Sequence, residues 1–339
     1  MTGTLRVQWT LLTSSARLQR SSQCLSIVNN KVLIFGGEVV PRQPVDNQID
    51  MLDLSNGAHI KATTLPVPAN ANAPSPRVGA TTTAIKDHVY LFSGRGGLGM
   101  EPVEEKGAIW RYSSSASSWD VITPSDPSAA YPEGRSYHAM TSDGQSTLFI
   151  HAGCPEKGRL PDVWTFNLDH NKWSRLPDAP SAARGGTSIA YHSGILYRMH
   201  GFDGQKEIGG EIDTLDVQSG KWTTTTSFTA DGINAPEPRS VSALCILDGY
   251  IVTLFGETDP SALGHAGAGK MLGNVWAYSL QAKKWTKMDW EGEGPKPRGW
   301  FAADLVPGGG KDGKSAVVVH GGLAEDNSRL GDIWKLELL

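Results

Sequence analysis

The sequence predicts an all-β protein that is built from six copies of one four-strand unit. In each copy an arginine precedes an apolar strand and the next strand ends in glycine, and in most copies tryptophans occupy the third and fourth strands. The opening arginines lie 49 to 59 residues apart, at Arg20, Arg77, Arg135, Arg184, Arg239 and Arg298. A repeat of this length with four short strands is typical of a radial array in which each copy forms one sheet.

The third copy shows the strands and turns most clearly. Its landmarks, in chain order, are Arg135, the turn Asp143-Gly144, the strand from Leu148 to Gly153, Trp164 and Trp173. Asp-Gly is a favoured turn pair between two strands. The fifth copy has the same order of features, from Arg239 to Trp285. A period near 50 residues with this content is the signature of a kelch β-propeller, and the six copies predict six blades.

The two ends of the chain are predicted to share one blade. The sixth copy reaches Trp334 and has no room for a fourth strand before Leu339, whereas an unassigned strand around Trp9 precedes the first arginine. We expect this N-terminal strand to complete the sixth blade and to leave no open sheet edge. The prediction is therefore a single kelch β-propeller domain over residues 1–339.

Composition narrows the range of partners. With a net charge of −4 and 19% charged residues, the composition does not predict a basic surface that would bind nucleic acid or an anionic membrane. The N-terminus lacks the apolar core of a signal peptide, and no apolar run is long enough to span a bilayer. Three cysteines are too few for a disulfide framework. We therefore expect a cytoplasmic protein with neither a nucleic-acid nor a membrane partner, and the sequence carries no signature of its oligomeric state.

The topology predicts which residues share one face. In a four-stranded antiparallel blade the connections alternate between ends, so the opening arginines and the residues that follow each glycine surround one mouth of the ring. The candidate substrate contacts there are Glu38, Arg95, Lys157, Arg159 and the opening Arg135. Paired arginines suit an anionic group such as sulfate or carboxylate. The alternative is a solvated rim of charges.

Two aromatic residues depart from the repeat. Two places after the arginine the copies carry Ser22, Gly79, Tyr137, Gly186, Val241 and Trp300. Tyr137 and Trp300 belong to opposite blades of a six-membered ring, so they are predicted to form two walls of an apolar slot at the mouth. Ordinary packing between blades is the alternative interpretation.

The fifth copy contains the longest departure. A glycine-rich connection of about eighteen residues follows Gly256 and includes Glu257, Asp259 and His265. Long loops on a rigid scaffold often carry function. Two carboxylates and one imidazole form a facial set that suits Fe(II) with open positions for substrate. An Asp-Pro turn beside a solvated histidine would give the same pattern.

Over essentially its whole length the chain resembles the plant specifier proteins, the kelch family of nitrile-specifier, epithiospecifier and thiocyanate-forming proteins. The motifs that carry the resemblance are Phe35-Gly-Gly-Glu38, Phe92-Ser-Gly-Arg95, Gly134-Arg-Ser-Tyr-His138, Pro297-Arg-Gly-Trp300, and Glu257 to His265 with the following Gly-Ala-Gly. The resemblance implies an Fe(II)-dependent enzyme that directs the breakdown of a sulfated thiohydroximate to nitriles, epithionitriles or thiocyanates.

The resemblance also implies roles for individual residues. Family members bind iron through a glutamate, an aspartate four residues later and a histidine four beyond that. Glu257 and His265 match, while the middle position is Ser261, so either the aspartate is lost or Asp259 takes its place. In the family, residues that match Arg95 and Arg159 hold the departing sulfate. Residues that match Tyr137 and Trp300 enclose the substrate.

Three functional hypotheses follow. The first is a lyase- or isomerase-type specifier-like enzyme with Glu257, Asp259 and His265 on Fe(II) and a small anionic substrate at the mouth. The second keeps the pocket and needs no metal, because Ser261 interrupts the ligand set. The third is a non-catalytic kelch interaction module, since fold alone does not decide function.

Overall fold

A computed structural model describes residues 5–57, 60–68 and 71–339, and the side chains of Asn56 and His265 lie outside that description. The described chain contains six four-stranded antiparallel sheets, which we number as blades in the order of their arginines. Its helices are single 3-10 turns at Ala16–Leu18, Leu54–Asn56, Gly264–Ala266 and Lys311–Gly313. The all-β propeller predicted from the sequence is confirmed.

The strands of each blade are given from the axis outward. Blade one contains Cys24–Val28, Lys31–Phe35, Ile49–Asp53 and Thr63–Leu65, and blade two contains Thr81–Ile85, His88–Phe92, Ile109–Ser113 and Ser118–Ile122. Blade three contains Ala139–Ser142, Thr147–His151, Val163–Asn167 and Lys172–Leu176, and blade four contains Ser188–His192, Ile195–Met199, Ile212–Asp216 and Lys221–Thr225. Blade five contains Ala243–Leu247, Tyr250–Leu254, Val275–Ser279 and Lys284–Met288, and blade six contains Ala302–Val306, Ala316–His320, Asp332–Leu338 and Val7–Ser14.

The N-terminal strand completes the sixth blade. Val7–Ser14 pairs antiparallel with Asp332–Leu338, as the sequence predicts. Among the described residues the hydrophobic core forms six clusters, and each cluster fills the space between two neighbouring blades. One cluster joins blade five to the N-terminal strand through Phe255 and Trp9, whose rings stack at 5.8 Å. Packing therefore continues around the whole ring.

Short ribbons extend three blades toward the mouth. Glu38–Val40 pairs with Gln43–Pro44, Arg95–Gly96 lies between Arg77–Val78 and Glu101–Pro102, and Glu257–Thr258 pairs with Lys270–Met271. These ribbons raise the residues that follow the second strand above the sheets. They form much of the mouth.

The repeated arginines hold each blade together from inside. All six side chains are buried, and each donates to a carbonyl oxygen just after its own second strand at 2.9 to 3.3 Å. Each also pairs with a carboxylate at 2.5 to 3.0 Å, namely Asp50, Glu105, Asp162, Glu211, Glu237 and Asp332. A buried charge needs such a partner, which explains why the arginine and an acid recur together.

The repeated glycines connect neighbouring blades. The residues Gly37, Gly94, Gly153, Gly201, Gly256 and Gly322 each donate from the backbone to the carbonyl of the next blade's arginine at 2.8 to 3.0 Å. Their φ angles are +89° to +111°, and an added Cβ would lie only 2.7 to 2.9 Å from the nearest atom. Only glycine meets both requirements without strain.

Among the described residues, no helix has the length and the apolar character that are needed to cross a membrane.

Candidate functional site

Backbone groups form a closed ring at the mouth end of the axis. We call the six residues two places after the arginines the axial ring; they are Ser22, Gly79, Tyr137, Gly186, Val241 and Trp300. Each donates its N–H to the carbonyl of the preceding member at 2.8 to 3.2 Å, and Ser22 closes the circle by donating to Trp300. Because every blade supplies one link, the position of each member depends on the complete ring.

The axial ring has a left-handed backbone throughout. Its φ angles are +46° to +61°, a region that favours glycine. Gly79 and Gly186 fit this geometry, whereas Tyr137, Val241 and Trp300 occupy it with bulky side chains. Such conformations persist where the surrounding structure enforces them, and they are frequent at functional sites. The left-handed backbone of the axial ring therefore directs attention to its bulky members, of which Tyr137 also lines a cavity at the mouth.

Tyr137 and Trp300 meet at the axis. Their ring centroids are 5.1 Å apart and their planes are inclined by 84°, an edge-to-face contact. A hydrogen bond joins the Tyr137 side chain to Ser22, and burial raises the pKa of the phenol. The sequence predicted two opposed walls with a slot between them. The structure brings both residues to the mouth, but their rings touch, so the slot is not between them.

A second ring of residues lies just above the axial ring. The residues that follow the glycines are Glu38, Arg95, Cys154, Phe202, Glu257 and Leu323, and each pairs antiparallel with the residue after an arginine. This shared backbone position explains why Glu38, Arg95 and Glu257 reach one mouth, as the topology predicts. Arg95 and Glu257 belong to blades two and five, which are opposite members of the ring.

Four predicted substrate contacts line one cavity at the mouth. This mouth cavity has a volume of about 250 Å³ and lies over blades one to three. It is lined by Glu38, Arg95, Tyr137 and Arg159, together with Met100 and Cys154 among others. The structure thus brings these four predicted residues together. Lys157 is exposed in the same loop and is not among the lining residues.

Arg95 is held rigidly and carries an uncompensated charge. Its guanidinium donates to Ser136 Oγ at 3.0 Å, to the Met100 carbonyl at 3.0 Å and to the Pro155 carbonyl at 2.8 Å. These acceptors are neutral, and among the described residues no carboxylate lies within 4.0 Å of it. Its positive charge is therefore available to an anion in the cavity.

The Arg159 guanidinium lies 5.8 Å from the centre of the Phe202 ring and donates to the Gly158 carbonyl at 3.0 Å. Neither partner is charged.

Glu38 is the buried acid among the residues that line this cavity, whereas Glu156 is exposed. Burial raises the pKa of its carboxyl, while the Arg42 backbone N–H, a donor at 2.6 Å, opposes the shift. Arg329 lies 3.8 Å from the other carboxylate oxygen. The sequence interpretation missed Arg329, because nothing in its blade-six loop indicates that it reaches blade one.

Arg135 was predicted to contact substrate at the mouth, and its position in the structure does not support that role. Its side chain is buried, and the guanidinium is committed to both oxygens of Asp162 at 2.6 and 2.9 Å and to the Ala152 carbonyl at 3.1 Å. Arg135 is not among the residues that line the mouth cavity. It belongs to the framework of blade three, like the other repeated arginines.

Glu257 lies across the mouth from that cavity and is 5% exposed. Burial raises the pKa of its carboxyl, against hydrogen bonds from Gly269 and from the Trp300 side chain. The Gly269 N–H donates to Oε1 at 2.7 Å. Glu257 therefore connects to the mouth cavity through Trp300 and Tyr137.

Of the other two predicted iron ligands, only the side chain of Asp259 is among the described residues. Asp259 is exposed on a left-handed backbone, and its carbonyl accepts from the Lys270 N–H at 3.4 Å. His265 lies in a 3-10 turn, and its side chain is outside the described residues. Among the side chains that are described, no three acids, cysteines or histidines form a group that could hold a metal ion. The described side chains alone do not fit an iron centre, and the Fe(II) site stays a prediction.

Glu207 is a second buried acid on the same side. It is 9% exposed, and its Oε1 has no hydrogen-bond partner among the described residues. Burial raises its pKa to about 7, and the charges of Glu257 and Asp259 add to the shift. The sequence interpretation missed Glu207, because it follows an ordinary turn in blade four. A glutamate directly before the apolar Ile208 was the one signal available.

The histidines at the ends of the second strands serve packing. His151, His200 and His320 are fully buried, and burial lowers the pKa of each imidazole. His138 is also buried, with a pKa lowered to about 3, and its Nε2 lies 2.6 Å from Thr81 Oγ1. Neutral imidazoles of this kind are structural.

A larger cavity follows the axis beneath the axial ring. This axial channel has a volume of about 440 Å³ and is lined by the innermost strands, with many hydroxyl side chains. Tyr137 lines both the axial channel and the mouth cavity. Asp304 also lines the channel, and burial raises the pKa of its carboxyl to about 6.

Comparisons with known proteins agree with this architecture. The solved structure of YjhT superimposes with a TM-score of 0.69 over 95% of this chain and 96% of that chain, at 15% identity. That likeness supports the fold. The family model described as the KLHDC2/KLHL20/DRC7 Kelch-repeats domain matches residues 96–311.

Two curated plant proteins are similar along most of the chain. N-(sulfonatooxy)prop-2-enimidothioate sulfolyase of Thlaspi arvense is 26% identical, with 93% of this chain and 91% of the relative covered. The F-box/kelch-repeat protein At1g51550 of Arabidopsis thaliana is 22% identical over 96% of this chain, which spans only 56% of that relative. The similarity to the specifier-type kelch proteins is thereby confirmed. The chain belongs to the kelch-repeat family of the KLHDC2/KLHL20/DRC7 Kelch-repeats domain.

Proposed function

We propose that this protein is a specifier-like lyase that binds a small anionic substrate in the mouth cavity and directs its breakdown. The observation that carries the proposal is the pair Arg95 and Arg159, two guanidinium groups beside Tyr137 in one cavity of about 250 Å³. The similarity to a sulfolyase over nearly the full length supports a lyase-type reaction. A sulfate ester is the substrate class that the relative's name suggests.

Arg95 is the main anion contact in this proposal. Its three hydrogen bonds fix the guanidinium before substrate arrives, so little ordering remains to be done on binding. A charge-assisted hydrogen bond to an anion contributes about 1.5 to 3 kcal/mol. When the bond to a sulfate-type leaving group breaks, negative charge grows on that group. A fixed cation there stabilises the transition state more than the ground state.

Arg159 and Glu38 add to the polar lining of the cavity. Arg159 is positioned by the Phe202 ring and the Gly158 carbonyl and adds a second positive charge. Glu38 has a pKa that is raised by burial, so its carboxyl accepts a proton more readily than an exposed glutamate does. It suits hydrogen bonding to a neutral part of the substrate.

The aromatic pair forms the floor beneath the substrate. Tyr137 lines the cavity, and Trp300 supports it through the edge-to-face contact at 5.1 Å. Glu257 in turn accepts from the Trp300 side chain. In this arrangement Glu257 positions the floor from the opposite side of the mouth.

The test compares two arginines of blade two. R95Q removes a charge from the cavity, whereas R111Q removes a charge from the exposed pair with Asp120 on the outer part of the blade. Turnover is measured on a sulfated thiohydroximate that is released in situ. We expect R95Q to lower kcat/KM about 10- to 100-fold, the equivalent of one charge-assisted hydrogen bond, and R111Q to match wild type.

Equal activity of R95Q and wild type would rule out Arg95 as the residue that binds the anionic group. A wild-type protein without turnover that retains a protein partner on purification would favour an interaction module instead.

The proposed reaction has two versions: the first candidate holds Fe(II) at Glu257, Asp259 and His265, and the second candidate needs no metal. The observation in favour of the metal-independent candidate is that Glu257 is buried and already accepts hydrogen bonds from the Gly269 N–H and the Trp300 side chain. Elemental analysis of protein that is prepared without oxygen separates the two candidates. Stoichiometric iron would support the Fe(II) site at Glu257, Asp259 and His265, and full turnover of iron-free protein in the presence of a ferrous chelator would support the metal-independent candidate.

A further inference from the structure

The face of Tyr137 lies directly against a glycine of the neighbouring blade. A Cβ added to Gly79 would lie 2.8 Å from Cε1, 3.0 Å from Cδ1 and 3.1 Å from Cζ of the Tyr137 ring. Carbon atoms in van der Waals contact are about 3.5 to 4.0 Å apart. Any side chain at this position would therefore force the ring to move.

Tyr137 has little freedom to move without changing the site. The Trp300 ring packs at its edge, and its side chain is hydrogen-bonded to Ser22. The same ring borders the mouth cavity and the axial channel. A displacement of Tyr137 would consequently change the depth of the mouth cavity and its separation from the channel.

We propose that Gly79 is a positioning residue that determines specificity, because its missing side chain lets the Tyr137 ring lie flat and form the floor of the mouth cavity. The part that concerns substrate rests on the proposed function. Gly79 itself touches no substrate in this arrangement. It acts through Tyr137 and limits how deeply a bound molecule can enter.

Gly186 provides a matched control within the same ring. The φ angle is +61° at Gly186 and +59° at Gly79, so the two backbones are nearly the same. An added Cβ at Gly186 would lie 2.9 Å from Val241 Cγ1, and its three nearest atoms belong to Val241 and Ser240, not to the Tyr137 ring. Alanine at either glycine thus introduces the same backbone strain and a similar steric contact. Only G79A places its new methyl group against the Tyr137 ring.

The first measurement is a calorimetric titration with inorganic sulfate, the simplest probe for the cavity. We expect G79A to raise the Kd for sulfate at least tenfold, while G186A stays within twofold of wild type. Equal effects of the two substitutions would overturn the specificity role of Gly79. Wild-type protein that binds no sulfate and turns over no sulfated compound would instead count against the proposed function.

The second measurement decides the contact independently of any ligand. Thermal unfolding is followed for G79A and G186A in wild-type and Y137A backgrounds. We expect the decrease in Tm caused by G79A to be smaller by about 2 °C or more in the Y137A background, because the clash has been removed. The decrease caused by G186A should be the same in both. Identical decreases for G79A in the two backgrounds would refute the proposal even if G79A folds poorly.

Discussion

Arg135 and Arg95 show how the framework of the ring differs from its mouth. Arg135 is buried and is neutralised by Asp162. Arg95 is partly buried and bonds only neutral acceptors among the described residues. The two arginines are also joined by Ser136, which follows Arg135 in the chain and accepts from Arg95. The difference teaches that the partners of an arginine, more than its place near the mouth, decide whether its charge can serve a ligand.

The largest expected effect tests the framework side of this comparison. R135M leaves the Asp162 carboxylate buried without its cation, and breaking such a pair costs about 3 to 5 kcal/mol. We expect this loss in the free energy of unfolding, measured by urea denaturation. R175M removes an exposed partner of Asp178 and should cost less than about 1 kcal/mol. If R135M were as stable as R175M, Arg135 would not be a framework residue.

The next largest effect compares Glu257, on the blade-five side of the mouth, with Arg95, on the blade-two side. E257Q keeps an oxygen that can accept from Gly269 or Trp300 but removes the charge. If Glu257 acts by supporting Trp300, kcat/KM should fall by less than about tenfold. R95Q, in contrast, is expected to lower kcat/KM by up to about 100-fold. A loss beyond a hundredfold, together with loss of bound iron, would show that the carboxylate holds a metal.

The smallest expected effect is a pH-dependent change in Tm at Glu207, a buried acid that has no paired cation among the described residues. The pKa of Glu207 is raised to about 7, so its ionised form is disfavoured in the folded protein. The penalty is fully present above pH 7 and is nearly gone at pH 4.5, where the carboxyl is protonated in the folded state and half protonated in the unfolded state. E207Q should therefore raise Tm at pH 8 and have little effect at pH 4.5. Exposed E293Q should leave Tm unchanged at both values, and a pH-independent effect of E207Q would contradict the shift.

The framework could be predicted from the sequence because its signals are local and repeated. The arginine and the glycine recur at a fixed place in every copy, the tryptophans recur in most copies, and the unassigned strand at Trp9 indicates how the ring closes. The rim positions of Glu38, Arg95 and Glu257 follow from the same alternation of connections.

The details of the site could not be predicted, because they depend on contacts between blades. Arg329 reaches Glu38 from blade six, and Tyr137 from blade three packs on Gly79 of blade two. Neither distance is encoded within one repeat. Glu207 was missed for a similar reason, since its burial and its proximity to Glu257 arise only when blades four and five pack together.

The closed circle of backbone hydrogen bonds has a consequence for how the protein is made. Ser22 emerges early from the ribosome and Trp300 late, yet they are direct neighbours in that circle. A nearby contact, His320 to Leu18, spans 302 residues. Such long-range pairing slows folding. The pocket is therefore expected to be among the last parts to assemble, and a stalled nascent chain would display well-formed sheets without any competent binding site.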